Sequence, residues 1–381
     1  MQPTIYLAFV DDWELSGDGS GDPRELQFAP MRQLVEIYNT YGVHGSFNAE
    51  VLQQLTFRKF QNEHPELKVL ADEWDDQVRE TFRQGHDIQL HIHPQWTRAQ
   101  YQDGKWNLSG DWSILNYTAA EARELIARGK EYLENLLRPV KANYACYSFR
   151  SGSWCIAPSP FMLTVLAESG FVFDMSIVGG VRYETRRINL DYSNCEEDFL
   201  PYYPLMTDAR RVSDKPEPIV CIPTNHFYGS RRSTLQHHAR KVGDKLKIGK
   251  PAANASADVR SVAVYGHEWA QTAHDSKFRR VFDKGVVPYL KGRHLISDLA
   301  QLDYSLMSEM LASIRRRARA SGLEDIPVIL ENHTKDLRNF SHIERFISDV
   351  ANAEDISCVT LSELAYELGH GRFAIKTRAT K

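Results

Sequence analysis

Along the chain, short apolar runs alternate with stretches whose apolar positions recur at helical spacing. Thr4–Val10 is a compact apolar run that ends in Asp11-Asp12. After a polar, Gly-rich loop, Ala29–Tyr41 carries helical periodicity and stops at Gly42, a position suited to a left-handed C-terminal cap. Val43–Asn48 predicts the next strand and Gln77–Arg83 the end of another helix. Asp87–His93 is apolar at alternate residues and stops at Pro94. Thr118-Ala-Ala-Glu121 is a capping box that opens a helix running to Leu137, and Ser341-His-Ile-Glu344 and Thr360-Leu-Ser-Glu363 repeat the pattern. Ser159-Pro160 starts a helix ending near Gly170, and a further helix is expected over Leu302–Ala320. Tyr144–Phe149, Phe171–Ile177, Ile219–Pro223, Val328–Glu331 and Ser357–Val359 complete the strand signals.

This alternation reads as βαβ units on a parallel sheet, and roughly seven such strands predict a distorted or partly closed (β/α)7 barrel. One stretch breaks the rhythm: 226–300 is basic and irregular, with Arg231-Arg232 and a Lys-rich run to Lys250. It predicts an inserted segment or lid, largely helical or irregular. The expected boundaries are a barrel over 1–225 and 320–370, the insertion at 226–300, a helix at 301–320 leading into the last strands, and a tail at 371–381.

Composition narrows the class. With 42% hydrophobic and 11% aromatic residues among 381, the chain is neither disordered nor fibrous. A net charge of −4 provides no global positive field for nucleic acid or anionic lipid. No run approaches the ~18 consecutive apolar residues of a transmembrane segment. The N-terminus lacks a basic region before its first strand, so no signal peptide is expected. The 5 cysteines are widely spaced, with no C-x-x-C pair, which suits reduced thiols and a cytoplasmic location.

In a parallel barrel, functional groups belong just past the carboxyl ends of the strands. Asp11 and Asp12, His91 and His93, Arg150, Asp174 and Asn332-His333 all fall at or near such positions. Residues two apart on a strand share a face, so His91 and His93 can lean together onto one metal ion, with Asp12 completing a three-ligand set that leaves room for water. If Asp12 is a ligand, Asp11 sits beside the bound water and can take its proton, and His333 opposite can serve as a general acid. Ordinary turn acids and structural histidines produce the same short patterns singly; their convergence on one rim carries the reading.

These residues resemble the polysaccharide deacetylase family (NodB homology, carbohydrate esterase family four), over residues 4–225 and 320–365. Phe9-Val-Asp-Asp12 is similar to its first motif, with a catalytic base followed by a metal ligand, and Gly45-Ser-Phe-Asn48 to its second-strand motif. Gly85-His-Asp-Ile-Gln-Leu-His91 resembles the run whose last His binds metal, and Phe149-Arg-Ser-Gly-Ser-Trp154 the motif whose Arg orients the base. Gly170-Phe-Val-Phe-Asp-Met-Ser176 is similar to a further motif, and Glu331-Asn-His-Thr334 stands where the family has its general-acid His. Each piece is short; six in the family's order are specific. The second family His would fall at Gln95 rather than His93, and the Arg motif lacks its prolines.

The resemblance implies a metal-dependent hydrolase removing an N-acetyl group from a sugar in surface polysaccharide (O-antigen-like) biosynthesis. Zinc is the expected cation, with cobalt or nickel as substitutes, held by Asp12, His91 and His93. Asp11 would be the base, kept ionised by Arg150, and His333 the acid, oriented by Asp174. Trp96, Trp154, Asn225 and His226 are candidate substrate contacts, with Tyr144 and Tyr228 as further aromatic candidates. A carbohydrate is the expected partner, with neither nucleic acid nor a transmembrane segment. Hydrolysis of a non-sugar amide on the same fold and non-catalytic carbohydrate binding are the alternatives.

Overall fold

The computed structural model describes residues 2–185, 187–233 and 293–379. Its centre is an all-parallel sheet built from β1 (Thr4–Trp13), β2 (Ser46–Glu50), β3 (Asp87–Ile92), β4 (Ser148–Ser151), β5 (Phe173–Asp174), β6 (Val220–Cys221) and β7 (Asp325–His333). The spatial order is β6-β5-β4-β3-β2-β1-β7, and a short β8 (Ile356–Cys358) also pairs with β1. The two edges nearly meet: Thr224 bridges Ile329, and the Asn225 amide donates to the Ile329 carbonyl at 2.9 Å. The sheet is therefore a partly closed barrel.

The crossovers are helical: α1 (Ala29–Thr40), α2 (Val51–Phe60), α3 (Pro65–Arg83), α4 (Ala119–Leu137), α5 (Met162–Glu168), α6 (Tyr304–Ser321), α7 (Phe340–Ala351) and α8 (Leu361–Gly369). The Thr118 and Thr360 capping boxes form as expected, each Thr side chain accepting from the backbone of the Glu three residues on. Ser341 does not cap: α7 already begins at Phe340, behind Asn339. The helix expected from Ser159 starts later, at Met162, although the Ser159 hydroxyl still accepts from the Phe161 and Met162 amides. Helix α2 and most of α3 were hidden by Gln, Thr and Asp at buried positions, which blunt the apolar stripe.

Strand alternation sorts the core into two compartments. Ala8 and Val10 of β1, Phe173 and Met175 at β5, Val220 and Ile222 at β6, and Ile329 of β7 fill the barrel interior, stoppered at one end by Leu361, Leu364 and Leu368 of α8. The neighbouring residues Leu7, Phe9, Phe47, Leu90, Phe149, Val328 and Leu330 point outward and pack under the helices. At the mouth the interior positions become polar, which fixes where a site can stand.

The segment between β5 and β6 forms two antiparallel pairs, Arg182–Glu184 with Asn189–Asp191 and Pro204–Leu205 with Asp208–Val212. The expected insertion begins and ends as an antiparallel stem, His226–Gly229 against Arg293–Ile296, while residues 234–292 lie outside the described residues. The C-terminal stretch is held down: Lys376 exchanges backbone hydrogen bonds with Pro201 and Tyr203. Among the described residues, no helix is long and apolar enough to cross a membrane.

Candidate active site

The inward-facing phase of β1, β3 and β7 delivers polar residues to one small cavity. In register, Asp12 stands beside Asn48 of β2 and His333 of β7, while His91 stands beside Glu50 and Arg150. Asp12, Glu14, His91, His93, Ser151, Ser153, Trp154 and His333 line a volume of about 10 Å³, about the size that holds one solvent molecule or small cation.

One half of the cavity is Glu14, His91 and His93. Their ligand-type atoms all lie within 4.8 Å of one another. Glu14 Oε2 lies 3.1 Å from His91 Nε2 and also contacts His93 Nε2, while Glu14 Oε1 accepts from buried Lys335. His91 Nδ1 donates to the Arg150 carbonyl at 2.8 Å, which turns Nε2 toward Glu14. A carboxylate oxygen held against two imidazole nitrogens needs a proton or a cation between them. Burial opposes charging of Glu14, but His93 and Lys335 outweigh it and hold its carboxyl well below the usual range. Burial likewise opposes the His91 cation, yet Asp12 and Glu14 push its pKa up to about 9, whereas burial wins at His93 and lowers it. One carboxylate and two imidazoles fit a divalent ion of the zinc type and leave a coordination position open.

The other half is Asp12, Glu331 and His333, whose ligand-type atoms also lie within 4.8 Å of one another. Asp12 Oδ1 accepts from Arg150 Nη1 at 3.0 Å and from Asn48 Nδ2 at 2.8 Å, leaving Oδ2 3.8 Å from His333 Nε2. Burial disfavours the Asp12 anion, but Arg150, His91 and His333 together lower its pKa. The Arg150 guanidinium is completely buried and donates its second amino group to Thr224 Oγ1 at 2.9 Å. His333 Nδ1 lies 3.1 Å from Asp298 Oδ2; burial opposes the imidazolium, but Asp298 raises its pKa to about 10. Burial pushes Glu331 the other way for an acid, up to about 7.

Trp154 forms a wall of the cavity. Gly152 turns the chain toward His93 so closely that a Cβ there would sit 2.6 Å from the Ile92 carbonyl and 3.0 Å from the His93 ring. Ser153 and Trp154 follow with φ of 55° and 56°, a left-handed pair that non-glycine residues rarely adopt and that functional sites concentrate. The indole stacks on Tyr183 at 5.9 Å and meets the His333 ring edge-on at 6.3 Å.

Several expected site residues stand elsewhere. Asp11 faces outward, its carboxylate held by Tyr38 Oη at 2.9 Å and by the Asn332 amide, so it is not beside the cavity and Arg150 bonds Asp12 instead. Asp174 also has the outward phase and bonds Ser176 at 2.7 Å; Asp298 occupies the place beside His333 that was expected for it. Trp96 packs in the core against Phe57 and Trp106. His226 pairs with Asp198 at 3.0 Å on the stem, and Asn225 lies at the barrel seam; neither lines the cavity. Gln95 reaches the far side of His93, its amide nitrogen 3.0 Å from Nδ1. Tyr144 is buried on the Ile88 carbonyl and Tyr228 is exposed on the stem. Glu14, Glu331, Lys335 and Asp298 were missed. Glu14 and Glu331 carried a signal, each lying two residues from an identified position and hence on the same strand face.

No protein-family model matches the sequence, and no curated protein is significantly similar. Among solved structures the likenesses are remote. One named as a polysaccharide deacetylase from Mycobacterium smegmatis is 15% identical with a TM-score of 0.47, over 99% of this chain and 94% of that one. Puue allantoinase is 12% identical with a TM-score of 0.45, over 100% and 93%. Another named as a polysaccharide deacetylase, from Pseudomonas aeruginosa PAO1, is 12% identical with a TM-score of 0.47, over 96% and 91%. Likeness this remote leaves the chemistry to be argued from the residues themselves.

Proposed function

We propose that the protein is a metal-dependent amide hydrolase that removes an N-acetyl group from a sugar. The observation that carries this reading is one cavity with a Glu14–His91–His93 ligand set on one side and Asp12 Oδ2 facing His333 Nε2 at 3.8 Å on the other. Glu14, His91 and His93 would hold the ion, in place of the Asp12, His91 and His93 set expected from the sequence. A bound zinc-type cation supplies polarisation of the acyl oxygen and acidifies water.

The chain's own groups divide the proton work. Asp12, fixed through Oδ1 by Arg150 and Asn48, turns Oδ2 to the cavity and accepts the proton of the attacking water. His333, kept protonated by Asp298, gives its Nε2 proton to the departing amine, without which an alkylamine is a poor leaving group. Lys335 occupies the remaining oxygen of Glu14 and so directs the other toward the imidazoles. Trp154, buried between Tyr183 and His333, forms the apolar wall of the cavity at the position of the acid. A surface-polysaccharide substrate and a cytoplasmic setting belong to this reading as well.

The test is acetate release. Protein loaded with zinc, cobalt or nickel is expected to bind one ion per chain and to liberate acetate from N-acetylated oligosaccharides, with activity lost on chelation and restored by the metal. Metal-loaded protein that cleaves small cyclic amides but no N-acetyl sugar would replace the substrate assignment. Absence of stoichiometric metal would remove the catalytic one.

A further inference from the structure

Glu331 is a completely buried carboxyl that the proton transfers above do not use. It lies two residues before His333 on the same inward face of β7. Its Oε2 accepts from the Trp154 indole Nε1 at 3.1 Å and lies 3.8 Å from Arg150 Nη1. Its Oε1 lies 3.5 Å from His333 Nε2 and accepts no hydrogen bond from the described residues. One side chain thus touches the cavity wall and approaches the nitrogen that faces the cavity.

We propose that Glu331 is a positioning residue that sets His333 and Trp154 against each other, aiming the acid's Nε2 along the indole face where the leaving amine must sit. This rests on the hydrolase reading. A carboxylate that served only to neutralise Arg150 would need neither the indole bond nor the approach to His333, because Asp12 already pairs with that guanidinium at 3.0 Å. The Trp154 and His333 rings stand edge-on, 89° apart, with Glu331 within reach of both. Charged groups facing His333 include Asp298 from the turn ahead of α6, Lys335 and Asp336 from the turn after β7, Asp12 from β1, and Glu331 itself. Removing Glu331's charge therefore leaves Asp298 as the main group holding the imidazolium.

The test separates positioning of the acid from general damage by varying the leaving group. Zinc-loaded wild type and Glu331→Gln are assayed on an N-acetylated oligosaccharide, whose amine needs a proton to depart, and on 4-nitrophenyl acetate, whose phenolate does not. The variant is expected to lose about tenfold or more in kcat on the sugar but less than about threefold on the ester, in keeping with the size of general-acid contributions. Metal content should be unchanged, and the basic limb of the pH profile on the sugar should move to lower pH. Equal losses on both substrates, or an unmoved limb, overturn the proposal while the hydrolase reading stands. Wild type inactive on both substrates overturns that reading and the proposal with it. If Glu331→Gln does not fold, Glu331→Asp, which keeps the charge but shortens the reach, must show the same leaving-group-dependent loss; its absence overturns the proposal.

Discussion

The two faces of β1 carry adjacent aspartates whose acidities are shifted in opposite directions. Asp11 on the outer face and Asp12 on the inner face are both buried. Asp11 meets only neutral donors, Tyr38 and Asn332, and burial pushes its pKa up to about 7. Asp12 meets the Arg150 guanidinium and falls below its ordinary value. Burial is common to both, so the charge of the partner decides which carboxyl is lowered and which is raised to about 7. A base must be ionised and must face its water; on the inner face, Asp12 satisfies both conditions.

The sharpest break of this comparison is a pair of single substitutions. Asp12→Asn should lower kcat by about 10²–10⁴-fold, the range for losing a general base, while Asp11→Asn should stay within a few-fold of wild type. The reverse ranking, read from steady-state acetate release, would return the base to Asp11. Glu14→Gln should weaken metal binding by more than about a hundredfold, beyond the 10–100-fold typical of losing an outer hydrogen-bonding partner. Competition with a chromogenic chelator measures it, and wild-type affinity in that variant would exclude Glu14 as a ligand. Arg150→Met leaves Asp12 and Glu331 without their buried cation and should destabilise the fold by about 3–5 kcal/mol in denaturant titrations.

Much of the fold was legible because its elements announce themselves locally. The Thr118 and Thr360 boxes, the stop at Gly42 and the apolar cores of β1 and β3 appear where the sequence places them. The strand phase was not legible. Strands buried on both faces read as continuous apolar runs, so nothing in Ile5–Val10 tells whether Asp11 or Asp12 looks inward. The misplacement of Asp174 has the same cause, with Phe173 and Met175 taking the interior phase on either side of it. Reading β1 as ended at Val10 also hid Glu14, because the strand in fact runs to Trp13 and carries the alternation past the motif. Asp298 could not be found locally: it reaches His333 from a turn 35 residues away.

The pH dependence of stability sharpens the comparison at a smaller scale. Asp11, raised from 3.8 to about 7, binds its proton more tightly in the folded chain. Its contribution to stability is full below its unfolded pKa and is lost as pH rises through about 7. Asp12, lowered, contributes in the opposite sense: present above its unfolded value and lost as pH falls through the folded one. Asp11→Asn should therefore flatten the decline of the melting temperature between pH 5 and 8; a slope identical to wild type would show that Asp11 is not the group responsible. The smallest effect expected is at the helix starts. Thr360→Ala should cost about 0.5–2 kcal/mol through loss of a formed cap, and Ser341→Ala, whose box does not form, a few tenths at most.

Because β1 is clamped between β2 and β7, with β8 at its start, its frame cannot slide. Gain or loss of one residue within it would exchange the surroundings of its neighbouring acids, turning the Arg150-paired position away from the reacting side. A change of length is therefore tolerable in the loop beyond Glu14 but not within the strand, whose side chains can be exchanged only one for one.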